Sequence, residues 1–251
     1  MQPRKLWLLA TLLLAACGGS ETPNGSSAGN EQPAATEDAN TAQSPAITEP
    51  ELVADESAGA TTAGRFRIGV DYQRLSPTQP TSSNPDQVEV AEVFWYGCPH
   101  CYHFDPLLEA WRAKKPEYVN FIRIPAVWNP LLKLHARAFY TAEALGKGAE
   151  MHSEFFREIH ERGNPLDSEA KLQEFFGRFG VDAATFKTTF DSFAVQAKLQ
   201  RADELNRRYR ISGVPTLIIN GKYTTEGGQT SSYEELLELA TELAASEHMG
   251  N

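Results

Sequence analysis

Two cysteines separated by two residues are the feature of this sequence best suited to chemistry. Cys98 and Cys101 lie in the segment Cys98-Pro99-His100-Cys101, directly after the apolar run 88–96. A cysteine at the start of a helix faces unpaired backbone N–H groups and the positive end of the helix dipole, which favour its thiolate. Because the thiolate is the reactive form, the pattern predicts Cys98 as the nucleophile. Cys101, one turn further on, is predicted to be the more buried, resolving thiol.

The two residues between the cysteines fit the same interpretation. A partly charged His100 imidazole, or its N–H, would stabilise the Cys98 thiolate further. A stabilised reduced form makes the disulfide a stronger oxidant, since exchange then favours transfer of the bond to a client. Pro99 suits the first helical turn, where its missing N–H has no intrahelical partner in any case.

A structural disulfide, a haem attachment site and a metal site fit the cysteine pair less well. A disulfide across two residues closes too small a loop to restrict the unfolded chain much. A haem-attachment motif needs a histidine directly after the second cysteine, where this chain has Tyr102. Cys98, Cys101 and His103 could supply three metal ligands, but no second cysteine or histidine pair completes the set. We therefore predict a redox pair and no metal.

Placing Cys98 at the start of a helix requires that a strand ends, and a helix begins, at the cysteine motif. The run 88–96 is rich in β-branched and aromatic residues and predicts a buried strand that Gly97 ends. A helix is expected over 103–115, opened by the cysteine motif, and a second buried strand over 119–124. A weaker first strand is predicted over 66–70.

The remainder of the chain alternates between helical and strand patterns. Helical stripes extend from Leu131 to Tyr209, with Asp182 as a candidate cap. The sheet resumes at 216–219, Asn220-Gly221 predicts a tight hairpin, and 222–225 return antiparallel. A capping box of Ser232 and Glu235 opens a last helix. Strands divided by a helical block predict an α/β domain with a helical insertion.

The first 64 residues carry export signals rather than a core. A positive start and an apolar run over 6–14 precede Leu14-Ala15-Ala16-Cys17, which resembles a bacterial lipobox. The run is far shorter than the roughly 20 residues of a membrane-spanning helix. We predict a lipoprotein signal peptide over 1–17 with lipid on Cys17. An ordinary signal peptide cut near Ala16 and an uncleaved anchor are the alternatives.

The amino-acid composition differs sharply between residues 18–64, a predicted tether, and the predicted folded body from residue 65 onward. Residues 18–64 contain eight acidic residues, no lysine or arginine and no aromatic residue, which predicts a disordered acidic tether. The net charge of −10 falls mostly on this segment. The mildly acidic body gives no reason to expect nucleic-acid binding, and a monomer is favoured.

These motifs together resemble the DsbA family of thiol:disulfide interchange proteins. The resemblance rests on the region 88–125, the CPHC motif, the helical block and Gly213-Val214-Pro215-Thr216, and it covers about residues 65–251. It implies a thioredoxin-like domain formed by 65–125 and 193–251, with an inserted all-helical domain over 126–192. It also implies a redox disulfide between Cys98 and Cys101, without any bound cofactor.

The resemblance assigns further residues to the site. Pro215 matches the family's cis-proline facing the disulfide, and Val214 and Thr216 would flank the groove for a client peptide. Glu92 matches a buried acid beneath the site that could relay the proton of Cys101, although a strand-edge Glu reaching solvent is the alternative. Gly97 departs from the family, since many members have an aromatic residue there, and so does the predicted tether.

The expected function is donation of the disulfide to newly exported proteins in the periplasm. The resemblance implies reduced exported proteins as clients and re-oxidation by a quinone-linked membrane oxidase like DsbB. The lipid would hold the chain on a Gram-negative membrane, and Gly18 after Cys17 makes outer-membrane sorting an option. The alternatives are a reductase or isomerase of the same fold, and a tethered metal-binding or chaperone protein.

Overall fold

The computed structural model describes the backbone of residues 51–53 and the whole of residues 64–250. The strands described are β1 (Glu51–Val53), β2 (Gln73–Ser76), β3 (Val88–Phe94), β4 (Val119–Pro125), β5 (Thr216–Ile219) and β6 (Tyr223–Glu226). The helices described are α1 (Pro99–Arg112), α2 (Pro130–Ala144), α3 (Gly148–His160), α4 (Glu169–Gly177), α5 (Ala183–Phe190), α6 (Phe193–Arg208) and α7 (Tyr233–Gly250).

The strands form one mixed sheet in the order β1-β2-β6-β5-β3-β4. β3 lies between β4, which is parallel to it, and β5, which is antiparallel. All seven residues of β3 are buried, as its dense β-branched and aromatic sequence predicts. The strand that ends at the cysteine motif is therefore held on both edges and covered on both faces.

The hairpin between β5 and β6 forms at the predicted turn. Asn220 and Gly221 have φ angles of 51° and 62°, the left-handed pair that a two-residue type I′ turn requires. The register pairs Thr216 with Glu226 and Ile219 with Tyr223. This register places the end of β6 beside the start of β5, directly after Pro215.

The predicted first strand over 66–70 is wrong. Gly69 adopts φ 81°, and its N–H donates to the carbonyl of Tyr72, so the chain turns where the strand was expected. Ile68 forms only an isolated bridge to Tyr72, and the strand begins at Gln73. The glycine permits the turn at no steric cost, which outweighs the weak β propensity of its neighbours.

Three residues of the segment predicted to be a disordered tether form a strand instead. Glu51–Val53 forms β1, antiparallel to β2 at the edge of the sheet. The predicted signal peptide, Cys17 and the rest of the tether up to residue 63 lie outside the described residues. Among the helices described, none combines the length and the apolar character that crossing a membrane requires.

Helix caps follow the sequence closely. Asp182 accepts hydrogen bonds from the N–H groups of Ala184 and Thr185, as predicted for α5. At α7 the Ser232 hydroxyl accepts from the Glu235 N–H at 3.2 Å. The reciprocal half of the capping box differs, because the Glu235 carboxylate accepts from the N–H and the hydroxyl of Ser231.

Two apolar clusters cover the two faces of the sheet. One joins the sheet to α1 and α7 through residues such as Val90, Phe104, Leu217 and Leu236. The other joins it to the helical block α2–α6 through residues such as Val93, Phe139 and Phe156. The architecture is the predicted α/β fold with a helical insertion, and it fixes the β3–α1 junction between the two clusters.

Candidate active site

Cys98 lies at the junction of β3 and α1. It is the N-cap residue of α1, with Pro99 in the first helical turn, and its N–H donates to the carbonyl of Trp95 at 3.0 Å. A Cβ atom added to Gly97 would lie 2.3 Å from the Trp95 ring. The departure at Gly97 thus has a steric reason, since the Trp95 ring occupies the space that a side chain would need.

The surroundings of Cys98 favour its thiolate. Its pKa is lowered from 9.0 to about 6, first by a hydrogen bond from the thiol of Cys101. Burial opposes this change, and the N–H groups of Cys101 and His100 and the charge of His100 support it. The backbone N–H groups at the start of α1 lower the pKa of Cys98 as predicted, but the Cys101 thiol lowers it more than the His100 imidazole does.

Cys101 is in the opposite state. It is fully buried, whereas Cys98 keeps 7% of its surface exposed. Burial, followed by the neighbouring Cys98 and Glu92, raises the pKa of the Cys101 thiol well above its usual range. Both cysteines are free thiols in the structure, so it represents the reduced pair. The two sulfurs therefore differ: the surroundings of Cys98 favour its anion and leave a small part of it exposed, whereas Cys101 is enclosed and favours its neutral thiol.

His100 is oriented by a residue that the sequence analysis did not identify. Its Nδ1 lies 3.2 Å from the hydroxyl of Tyr233, the first residue of α7. The Tyr233 ring also packs on Phe104 of α1, with a centroid separation of 5.2 Å. No spacing in the sequence connects residues 100 and 233; only the packing of α7 against α1 brings them together.

The loop before β5 lies against the sulfur of Cys98. The peptide bond between Val214 and Pro215 is cis. The Sγ atom of Cys98 lies 3.4 Å from the carbonyl oxygen of Val214, and the Thr216 hydroxyl donates to the carbonyl of Gly213 at 2.9 Å. The structure thus brings Val214 into contact with Cys98, and Pro215 and Thr216 follow it directly in the chain.

Glu92 lies on β3 and is 1% exposed, so it does not reach solvent from a strand edge. Its Oε2 accepts from Nε of Arg123 on β4 at 2.9 Å, as the parallel register opposite Arg123 allows. Burial nevertheless raises the pKa of Glu92 to about 7, because desolvation outweighs the attraction of a guanidinium that is shared with other carboxylates.

Arg123 connects Glu92 to a second buried acid. Its guanidinium also contacts Asp105 at 3.1 Å and Glu109 at 2.6 Å, both on α1. Burial alone would raise the pKa of Asp105, but a hydrogen bond with His152 and the charges of His152 and Arg123 lower it. The Arg123 guanidinium therefore pairs with carboxylates of both β3 and α1, the strand and the helix on either side of the cysteine motif.

The network extends into the helical insertion. Nε2 of His152 on α3 lies 3.0 Å from Asp105, and its Nδ1 lies 2.9 Å from the hydroxyl of Tyr96. Burial is the main reason that the pKa of His152 is lowered, and its two ring nitrogens connect Asp105 to Tyr96. Arg123 and these three residues were not predicted, although a lone Arg in the apolar strand Val119–Pro125 was an available signal.

Comparisons with known proteins place this geometry in context. The DSBA-like thioredoxin domain family matches residues 89–238, a range that contains both cysteines and Pro215. The thiol:disulfide interchange protein DsbA of Pseudomonas aeruginosa is 37% identical over 188 residues, which are 75% of this chain and 89% of that protein. The protein of the same name from Azotobacter vinelandii is 39% identical over 182 residues, 72% of this chain and 85% of that protein.

Solved structures agree with the sequence comparison. A crystal structure of Pseudomonas aeruginosa DsbA superposes with a TM-score of 0.70 at 36% identity, covering 74% of this chain and 96% of that one. The oxidoreductase DsbA from Xylella fastidiosa superposes with a TM-score of 0.67 at 32% identity, covering 71% of this chain and 96% of that one. The similarity spans nearly the whole of the two solved structures and a little under three quarters of this chain.

Proposed function

Because the chain belongs to the DSBA-like thioredoxin domain family, we propose that it acts as the donor in disulfide exchange with exported proteins. It is a thiol:disulfide oxidoreductase, like the DsbA proteins to which it is similar. The observation that supports the donor direction is the lowered pKa of Cys98 beside the raised pKa of Cys101. A stabilised Cys98 thiolate makes the reduced enzyme the favoured product, so the disulfide is readily transferred.

The proposed reaction has two exchange steps. A client thiolate attacks Sγ of Cys98, the bond to Cys101 breaks, and the Cys101 sulfur leaves with the electron pair. A second client thiolate then attacks the client sulfur of the mixed disulfide and releases Cys98 as a thiolate. The client is oxidised by two electrons, and the Cys98–Cys101 pair is reduced by two. Val214 and Thr216, on either side of Pro215, are the residues proposed to flank the client backbone, and the contact of the Val214 carbonyl with Sγ of Cys98 supports this role.

Glu92 is the proposed proton donor to the leaving sulfur. The raised pKa of Cys101 means that its sulfur must be protonated after the bond breaks. Glu92 is close enough to raise that pKa, and its own pKa of about 7 lets it hold a proton near neutrality. In the reverse direction the carboxylate would accept the same proton. Arg123 is the positioning residue that holds Glu92 in place.

A Glu92→Gln variant tests this role through its pH dependence. Glu92 is protonated below about pH 7 and loses its proton above it, so its help is available on the acid side. We expect the wild-type rate of peptide oxidation to exceed that of the variant below pH 7. The ratio of the two rates should fall towards one as the pH rises through 7. A ratio that does not depend on pH, measured by stopped-flow mixing with one reduced peptide, would remove Glu92 from proton transfer.

The donor direction is tested by equilibration with glutathione. We expect the Cys98–Cys101 pair to be mostly reduced in redox buffers in which ordinary structural disulfides persist. The oxidised protein should also oxidise a reduced dithiol peptide faster than it rearranges a scrambled disulfide substrate. Faster rearrangement than oxidation would favour an isomerase, and a pair that stays oxidised in the same buffers would favour a reductase.

The same proposal includes a partner and a location. Re-oxidation requires a two-electron acceptor, for which a quinone-linked membrane oxidase like DsbB is the proposed partner. The proposed location is the periplasm, with the chain held on a Gram-negative membrane, the outer one included, by lipid on Cys17. The export signal at 1–17 and the small residues before Cys17 support this location.

A Cys17→Ala variant tests the anchor. Lipid attached to the Cys17 sulfur would be lost, and an acyl chain contributes about 0.8 kcal/mol of membrane affinity per buried CH₂ group. We expect wild type in the membrane fraction and the variant in the released periplasmic fraction, with peptide oxidation unchanged. A variant that stays in the membrane fraction would contradict lipid anchoring and leave the redox proposal intact.

A further inference from the structure

A cavity of about 220 Å³ lies beside the cis-proline loop. His100, Pro215, Glu226 and Tyr233 contribute side chains to its wall. Glycines at 213, 227 and 228 form the rest together with Val214, whose carbonyl oxygen contacts Sγ of Cys98. A client chain that reaches Cys98 along this loop would therefore pass the mouth of the cavity with a residue that neighbours its cysteine.

Glu226 is fixed in this wall by the sheet. It is the last residue of β6 and pairs with Thr216, the residue after Pro215. The N–H of the next residue, Gly227, donates to the Pro215 carbonyl at 3.2 Å. The Ser212 hydroxyl donates to Oε1 of Glu226 at 3.0 Å, which orients the carboxylate. The strand register therefore fixes the backbone of Glu226, and the hydrogen bond from Ser212 fixes its carboxylate.

Glu226 forms no salt bridge with any described residue, and His100 is the one basic side chain among the described residues that line the cavity. Among the described residues that line the cavity, Glu226 is the one carboxylate, and no lysine or arginine lies among them. Within residues 64–250 no salt bridge involves Glu226, whereas most other acidic side chains around the helices are paired. A half-buried carboxylate without an ion-pair partner attracts a positively charged group of a bound molecule.

The walls leave space for a long side chain. A Cβ atom added to Gly227 would lie 3.2 Å from the Tyr233 ring and 3.4 Å from Pro215, so any larger residue there would narrow the cavity. Gly213 and Gly228 border open space. The Tyr233 and Pro215 rings offer apolar surface to a methylene stem, as amphipathic basic side chains require.

We propose that this cavity is a subsite for a basic side chain, lysine or arginine, next to the reacting cysteine of the client. The inference rests on the proposed donor function and names one determinant of its client preference. Glu226 receives the charged end, and the rings of Tyr233 and Pro215 receive the stem. Glu226 attracts the basic side chain before and during the attack of the client thiolate on Cys98. It takes no part in breaking the disulfide bond.

The test compares three dithiol peptides that differ only in the residue beside the first cysteine: Lys, Gln or Glu. The oxidised full-length protein is mixed with each peptide, and the second-order rate of oxidation is measured for wild type and Glu226→Gln. The glutamine amide oxygen can still accept from Ser212, which keeps the wall in place. The ratio of the Lys rate to the Gln rate in wild type, divided by the same ratio in the variant, cancels intrinsic differences in peptide reactivity.

We expect this double ratio to be about three, because ion pairs open to solvent contribute about 0.2–1 kcal/mol and tenfold corresponds to about 1.4 kcal/mol. It should fall towards one in high salt, and the Glu peptide should give a value below one. Glu174→Gln, an equal charge change on the exposed side of α4, should leave the wild-type preference in place. A double ratio of one at low salt, or an equal effect of Glu174→Gln, overturns the subsite. If wild type oxidises none of the peptides, the donor function itself fails.

Discussion

Replacing Cys98 and Cys101 separately by serine should give opposite results with an aromatic disulfide reagent. The Cys101→Ser variant should react quickly and keep the reagent attached, because Cys98 retains a stabilised thiolate but no neighbour can release the adduct. The Cys98→Ser variant should react on the order of 10³-fold more slowly or worse, as expected when a nucleophile is removed. Within residues 64–250 its remaining thiol is that of Cys101, which is fully buried and has a pKa raised well above the usual range.

The two variants serve as controls for each other, since each removes one sulfur and retains a hydroxyl of similar shape. Mass spectrometry of the protein after reaction distinguishes a retained adduct from a closed disulfide, and released reagent gives the rate. Reduced wild type should release two equivalents and end with the Cys98–Cys101 disulfide. Equal rates for the two variants would contradict the assignment of Cys98 as nucleophile and Cys101 as the resolving thiol.

Removing Arg123 should have the largest effect on stability of any single change at the site. Its side chain is 8% exposed and contacts Glu92, which is 1% exposed, and Asp105, which is 6% exposed. An Arg123→Met variant retains much of the stem but leaves two buried carboxylates without a cation. Breaking a buried pair from one side costs about 3–5 kcal/mol of unfolding free energy, measured by urea or guanidinium titration.

The loss should depend on pH in a defined direction. The pKa of Glu92 is already raised from 4.5 to about 7, so this group binds its proton more tightly in the folded state. Stability from it is greatest below about pH 4.5 and declines as the pH rises through 7. Without Arg123, which opposes that rise, the pKa should increase further. The variant should therefore lose more stability at pH 8 than at pH 5.

A matched control is available within the same cluster. Glu109 also contacts Arg123 but is 35% exposed, so Glu109→Gln should cost no more than about 1 kcal/mol. A loss below 1 kcal/mol for Arg123→Met, or an equal loss for Glu109→Gln, would show that the buried carboxylates do not depend on this guanidinium.

Local signals in the sequence were sufficient for the elements that hold the cysteines. The strand before the motif, the proline in the first helical turn and the Asn220-Gly221 hairpin each depend on neighbouring residues, and each forms as predicted. The fold class followed from the order of these elements. The error over residues 66–70 arose because a single glycine, Gly69, turned a segment of weak strand propensity.

Long-range contacts account for the residues that were missed. Tyr233 meets His100 across 133 positions, and His152 meets Asp105 across 47. Neither pair has a recognisable spacing, because the contacts arise from packing of α7 and α3 against α1. Arg123 could have been noticed as a charge within an apolar strand, but its partners depend on the parallel register with β3. The sequence therefore identifies the cysteine pair more readily than the charged and aromatic side chains that pack around it.

The proposed donor function depends most on the charge state of the Cys98 sulfur, and titration of the reduced protein tests that state directly. The ultraviolet absorbance of the thiolate should rise with a midpoint near pH 6 in wild type and should be missing over that range in Cys98→Ser. A midpoint near 9, the ordinary value for a cysteine, would contradict the claim that the start of α1 and the Cys101 thiol stabilise the anion.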